Sequence, residues 1–169
     1  LYWIGRALGD SLRKKNPKPR VLIGIDTRES GPHIAGEIAA GLASAGVAAA
    51  FAGVISTAGV ACVTRQGGFV AGVVISASHN PFEDNGIKVF SGRGEKFTER
   101  VEREVEAIVA DRSWQARPGE AVPLPKAALV APYLDHLRAV LEHPGALGGI
   151  GLAIDCAHGA TTAVAPELF

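Results

Sequence analysis

The apolar run Phe69-Val70-Ala71-Gly72-Val73-Val74-Ile75 constrains the fold of this chain more than any other segment. Continuous apolar sequence rich in β-branched residues, entered through Gly67-Gly68, predicts a strand buried on both faces. Such a strand needs helices on either side of its sheet, which selects an α/β layer fold with mostly parallel strands. The run breaks directly into Ser76-Ala77-Ser78-His79-Asn80-Pro81. Open α/β sheets bind ligands beyond the carboxyl ends of their strands. Hydroxyls, an imidazole and an amide crowded at that position read as a reaction site.

Composition narrows the function classes. The 169 residues fill one domain with a little to spare, and 47% apolar content with 21 glycines fits a globular α/β protein. Seventeen basic and seventeen acidic side chains cancel, so no net field favours nucleic acid or an anionic membrane. Anion binding must then rest on local charge. Cys62 and Cys156 lack metal-type spacing, and both sit in apolar surroundings. They read as buried thiols of a reducing compartment, with a structural disulfide as the alternative. No stretch reaches the roughly 18 apolar residues of a membrane helix, and no signal sequence opens the chain, so the expected location is the cytoplasm. The chain opens on Leu1, contains no methionine and closes on Pro166-Glu167-Leu168-Phe169 within a helical pattern, which predicts a fragment of a longer protein.

Alternating elements are legible along the chain. Residues 1–15 read as a helix ending in cations, stopped by Pro17 and Pro19. A strand follows at residues 20–25, then a loop, then a helix to about Ala45 with Pro32 in its first turn. A strand is predicted at residues 47–52, a helix at 57–66 and the buried strand at 69–75. Asp84-Asn85-Gly86 signals a tight turn into a strand at 86–90, which is therefore expected to run antiparallel. Thr98 opens a charged helix at 99–111. The segment 112–125, with Pro118, Pro123 and Pro125, reads as a surface connection, and residues 127–142 as a further helix. His143-Pro-Gly-Ala-Leu-Gly-Gly149 reads as a linker, after which residues 151–155 restart the strand pattern. The predicted architecture is a three-layer αβα domain with a mixed, mostly parallel sheet over residues 1–145, followed at 146–169 by the start of a second, similar domain.

Within the polar cluster, Ser78 is the candidate nucleophile or phosphate carrier, although a serine needs a base or strong electrostatics to act as one. Ser76 and Ser78 would otherwise serve as caps or turn residues. Side chains of adjacent residues in an extended segment diverge, which places His79 poorly as a base for Ser78 and better as a substrate or phosphate contact. Asn80 precedes Pro81 and is pushed to extended dihedrals, shaping the loop with a possible contact of its own. Lys88 interrupts an apolar strand and can return its ammonium to the mouth of the loop; the alternative is an outward edge-strand lysine. Arg28, at the end of the first strand, either binds phosphate or pairs with Asp26 or Glu29, pairing being favoured. Gly92-Arg93-Gly94 is too short to count as an anion loop, and the segment from Asp155 to Gly159 ends the restarted strand without a role that can be assigned.

Ile75-Ser-Ala-Ser-His-Asn-Pro-Phe-Glu-Asp-Asn-Gly-Ile-Lys-Val-Phe90 resembles the active-site segment of the α-D-phosphohexomutase superfamily, and within it bacterial phosphoglucosamine mutases most. Gly24-Ile-Asp-Thr-Arg-Glu-Ser-Gly31, residues 57–65 and Ile154-Asp-Cys-Ala-His-Gly-Ala160 match in the same order. The resemblance implies an isomerase that interconverts glucosamine 6-phosphate and glucosamine 1-phosphate. Phosphorylated Ser78 would hand its phosphoryl group to the sugar and regain one from a bisphosphorylated intermediate. It further implies His79 and Lys88 as acid/base and substrate-contact residues, glucosamine 1,6-bisphosphate as activator, and Mg²⁺ held partly through the phosphoserine oxygen. The partner is a small phosphosugar, and no nucleic acid or membrane is implied.

The pattern departs from that family in several places. The arginine-bearing Asp-Gly-Ile-Arg-Gly stretch would lie upstream of residue 1, and the aspartate-rich metal loop beyond Phe169. Ser56 and Ala58 stand where prolines are usual, loosening a turn without touching the chemistry. Little or no activity is expected from these residues alone. Phosphoglucomutase or phosphomannomutase specificity, a phosphatase using the same serine, and a non-catalytic phosphosugar-binding or assembly module are the competing readings.

Overall fold

The structure, a computed structural model, describes residues 1–111, 124, 126–140 and 148–169. Four strands form one sheet in the order β2-β1-β3-β4, with β1 at Arg20–Ile25, β2 at Ala48–Val54, β3 at Ala71–Ile75 and β4 at Ile87–Ser91. β1 pairs in parallel with both β2 and β3, and β3 pairs antiparallel with β4. All five residues of β3 are buried, as its unbroken apolar sequence predicts. Covering both faces takes helices on both sides. One core packs α2 (Gly31–Ser44) and Leu8 of α1 (Tyr2–Arg13) on Val21, Ile23, Val73 and Ile75. The other packs α3 (Thr57–Gln66) and α5 (Val130–Val140) on Leu22, Val74 and Phe90. Each fully buried aliphatic side chain of these clusters is worth about 1.5–3 kcal/mol. The layers are therefore α, β and α, with a mixed sheet between them.

Both sheet edges are partly covered. Ala127 donates its N–H to the Phe51 carbonyl at 2.8 Å along β2, and Phe97 donates to Val89 at 2.8 Å along β4. Because residues 126–127 run beside β2, the helix expected from residue 127 begins at Val130. β4 is antiparallel as expected, but the expected reason fails. The chain reverses through the whole segment from Ser76 to Gly86, and Asp84-Asn85-Gly86 only closes it, with Ser76 N–H donating to Gly86 O at 2.8 Å.

The amphipathic helix α4 (Glu99–Ala110) lies against α1 on the first core. The restarted strand at 151–155 does not form among the described residues, and Ile150, Leu152 and Ile154 are exposed. A turn-rich segment then leads into the short α6 (Ala165–Leu168). Val164 enters the second core, and Arg138 of α5 donates to the Glu167 carbonyl at 2.7 Å. Pro118, Pro123 and Pro125, the boundary expected at residue 145 and most of the 143–149 linker lie outside the described residues.

Candidate active site

The strand order creates the site. β2 and β3 leave β1 in opposite directions, so the loops after β1 and β3 part at a topological switch point, where α/β sheets open a crevice. Ladder hydrogen bonds carry on past the strand ends: Asp26 N–H donates to Ile75 O and Ile55 N–H to Ile25 O, both at 3.0 Å. Asp26-Thr27-Arg28, Ser56-Thr57 and Ser76-Ser78-Asn80 thereby converge on one cleft of about 460 Å³. That volume suits a small-molecule ligand. The facing wall is residues 157–161, joined to the first loop by Thr27 Oγ1, which donates to His158 O at 2.7 Å.

Ser78 and Ser76 have different jobs. Ser76 is buried, and its Oγ accepts the Ser78 N–H at 3.1 Å, pinning the start of the loop. Ser78 lines the cleft with a backbone φ of 58°, in the left-handed region that costs an ordinary residue about 1–3 kcal/mol. This conformation overturns one expectation. The loop is not extended at Ser78, so the neighbouring side chains converge: Ser78 Oγ and His79 Nδ1 lie 3.4 Å apart, at the outer limit of a hydrogen bond. His79 is exposed and is no part of the cleft lining.

The other sequence candidates fall at different distances from the serine. Asn80 lines the cleft, and its Nδ2 donates to Asp84 Oδ2 at 3.3 Å. Lys88 pairs with Val74 across β3 and β4, half-buried, outside the cleft lining and without a hydrogen bond or ion pair among the described residues. Arg28 lines the cleft but is fully engaged. Its Nε donates to Asp26 Oδ2 at 3.1 Å, and its two terminal nitrogens donate to the carbonyls of Ser78, Asn80, Pro81 and Asp84.

Several lining residues gave little sequence signal. Thr27, Thr57 and Thr161 add hydroxyls, and Phe82 adds an exposed ring. Ala157 and His158 both adopt positive φ, at 48° and 53°, which no glycine announces. Ser56, noted for replacing a proline, caps α3 by accepting the Gly59 N–H at 3.1 Å, and its Oγ lies 3.3 Å from the Tyr133 hydroxyl. Cys156 is half-buried behind the 157–161 wall, not fully buried as its neighbours suggested, and both cysteines are free.

Chemically, the cleft offers hydroxyls, amides and one strained serine. Among the described residues one arginine lines it, already paired, and no lysine does. The described residues contain no group of three or more His, Cys, Asp or Glu side chains able to hold a metal ion, so a Mg²⁺ donor set does not fit within them.

Comparison with known proteins gives a consistent result. The family model described as phosphoglucomutase/phosphomannomutase, alpha/beta/alpha domain I, matches residues 1–116. A phosphoglucosamine mutase of Solibacter usitatus is 44% identical over all of this chain and 38% of its own length. A phosphoglucosamine mutase of Deinococcus deserti is 44% identical over 98% of this chain and 38% of its own length. The chain thus spans less than half the length of these relatives. Among solved structures, a phosphoglucomutase/phosphomannomutase family protein from Burkholderia thailandensis covers 82% of this chain and 31% of its own at TM-score 0.67 and 25% identity. The open form of parafusin, a phosphoglucomutase from Paramecium, covers 99% and 37% at TM-score 0.75; at 16% identity it speaks for the fold alone.

Proposed function

This chain belongs to the phosphoglucomutase/phosphomannomutase family through its α/β/α domain I, and on that footing we propose that it carries the nucleophile of a phosphosugar mutase. The observation that carries the reading is Ser78, held in a left-handed conformation at the switch-point cleft with its Oγ beside an imidazole. In the resting enzyme Ser78 Oγ bears a phosphoryl group. A sugar hydroxyl attacks the phosphorus and loses its proton to a base, while the P–Oγ bond breaks and Oγ regains a proton. His79, whose Nδ1 lies 3.4 Å from Ser78 Oγ, is the proposed source of that proton. The bisphosphorylated sugar then turns over, and the same steps in reverse return its other phosphate to Ser78.

Glucosamine 6-phosphate and glucosamine 1-phosphate are the proposed pair, supported by relatives named phosphoglucosamine mutase at 44% identity. The solved Burkholderia thailandensis protein, named for the phosphoglucomutase/phosphomannomutase family, supports glucose or mannose phosphates as the second reading. Glucosamine 1,6-bisphosphate would prime the serine. Mg²⁺ would offset charge on the transferring phosphoryl group and take one oxygen of phosphorylated Ser78, its remaining donors coming from outside the described residues. A second domain of similar build would begin near residue 146. No described helix is long and apolar enough to cross a membrane, and with two free cysteines a reducing cytoplasm is the proposed location.

The test is to incubate the full-length protein with glucosamine 1,6-bisphosphate labelled in phosphorus. Stable label on Ser78, chased into either monophosphate, is the expected result, and Ser78→Ala should lower turnover by about 10³-fold or more. Rapid loss of label to water would replace the mutase with a phosphatase. Undiminished turnover in Ser78→Ala would remove Ser78 from the chemistry altogether. Label accepted only from glucose 1,6-bisphosphate would favour the second reading.

A further inference from the structure

We propose that Arg28 is a positioning residue: its guanidinium, charge-paired with Asp26, is the template on which the Ser78 loop is folded, and it is no phosphate ligand. A guanidinium has five N–H donors in a planar fork and no acceptor. At Arg28 all five are used. Nε–H goes to Asp26 Oδ2, one terminal nitrogen to the carbonyls of Pro81 and Asp84, and the other to the carbonyls of Ser78 and Asn80 at 3.1 and 2.9 Å. The side chain is 10% exposed and that of Asp26 13%, so the charge pair is largely withdrawn from water, while the four carbonyls it reaches belong to exposed loop residues. Asp26 is itself fixed, because its Oδ1 accepts the Arg28 N–H at 3.1 Å.

Four carbonyls of one loop converging on a single cation define that loop's shape. The peptide bonds of the Ser78 loop are trans, so turning the Ser78 and Pro81 carbonyls toward Arg28 turns the His79 and Phe82 amides away from it. The bond to the Ser78 carbonyl acts on the residue with the strained backbone, and strain of this kind persists only where its surroundings over-determine it. Ser76 Oγ holds the Ser78 N–H, Arg28 holds the Ser78 carbonyl, and the Oγ between these two restraints is left to face the cleft. Thr27, adjacent in sequence, braces the opposite wall through His158 O. The segment 26–28 therefore sets both sides of the cleft from the end of the central strand β1.

The inference rests on the reading of Ser78 as the phosphoryl acceptor, and its test separates the two. Arg28→Lys and Asp26→Asn are made in the full-length protein, and steady-state kinetics are measured alongside amide hydrogen exchange. A lysine keeps the charge but offers three donors from one point, so it cannot span four carbonyls. For Arg28→Lys, kcat should fall about 100-fold, because small misplacements of a nucleophile cost that much. KM should stay within about twofold of wild type, and the rate of Ser78 labelling should fall with kcat. Amides of residues 79, 80 and 82–86 should exchange about tenfold faster or more while those of β1 and β3 keep their protection. Asp26→Asn should show the same pattern more weakly.

A raised KM with kcat preserved would make Arg28 a phosphate ligand and overturn the proposal. Unchanged kinetics and exchange would overturn it, and so would faster exchange spread evenly over the sheet, the mark of general destabilisation. If wild type fails to label at all, the mutase reading falls, and selective loosening of the loop in Arg28→Lys still decides whether Arg28 templates it.

Discussion

Ser78 and the two cysteines show how local surroundings set reactivity in this domain. Ser78 draws its exposure to the cleft from backbone strain held by Ser76 and Arg28. Cys62 lies in the second core, where burial pushes its thiol above the ordinary value of 9.0 and the Arg65 charge offsets part of the rise. A thiolate there is disfavoured, so in native protein at pH 8 an alkylating reagent should label half-buried Cys156 well before Cys62. Equal labelling rates would contradict this. As pH rises through about 9, the unfolded thiol ionises first, the folded state binds more protons, and stability falls. Below that pH Cys62 contributes no pH dependence. Denaturant midpoints measured at pH 8 and 10 in wild type and Cys62→Ala should converge as pH rises.

At the scale of elements, α1 and α2 cross at glycines. A Cβ on Gly41 would lie 2.1 Å from the Tyr2 carbonyl oxygen, and one on Gly5 2.1 Å from that of Ile38. Both obstacles are backbone, so the helices must separate for any side chain. Alanine gains about 1 kcal/mol of helix propensity over glycine, but overpacking of this kind costs about 1–3 kcal/mol or more. Gly41→Ala should therefore destabilise the domain by about 2 kcal/mol in chemical denaturation, and unchanged stability would mean that the crossing has room for a methyl group. The bounds of α3 were legible in the sequence because Ser56-Thr57 marks its start and Gly67 its end. The start of α5 was not, because the pairing of Ala127 with Phe51 depends on where β2 lies. The strand expected at 151–155 has the right alternation, yet a strand exists only with a partner, and none is present among the described residues.

For the molecule as a whole, the cleft explains what this chain should do alone. A phosphosugar brings two or more negative charges, and the described lining residues present no lysine, no unpaired arginine and no metal donor set. Residues 1–169 expressed by themselves should give little or no turnover of glucosamine 6-phosphate in a coupled assay; turnover near that of the full-length protein would contradict this.

The alternation of elements, the doubly buried β3 and the polar cluster at its end are legible from the residues alone, because period, β-branching and turn residues act over a few neighbours. The sequence also marks out Ser78, through a motif long enough to be specific. How that serine is presented depends on contacts that exist once the domain has folded. The left-handed turn at Ser78, the approach of His79 and the engagement of all five Arg28 donors arise where two loops distant in sequence meet at a switch point. A guanidinium that can bind phosphate or carbonyls is assigned by what surrounds it in space, and no spacing along the chain encodes that choice.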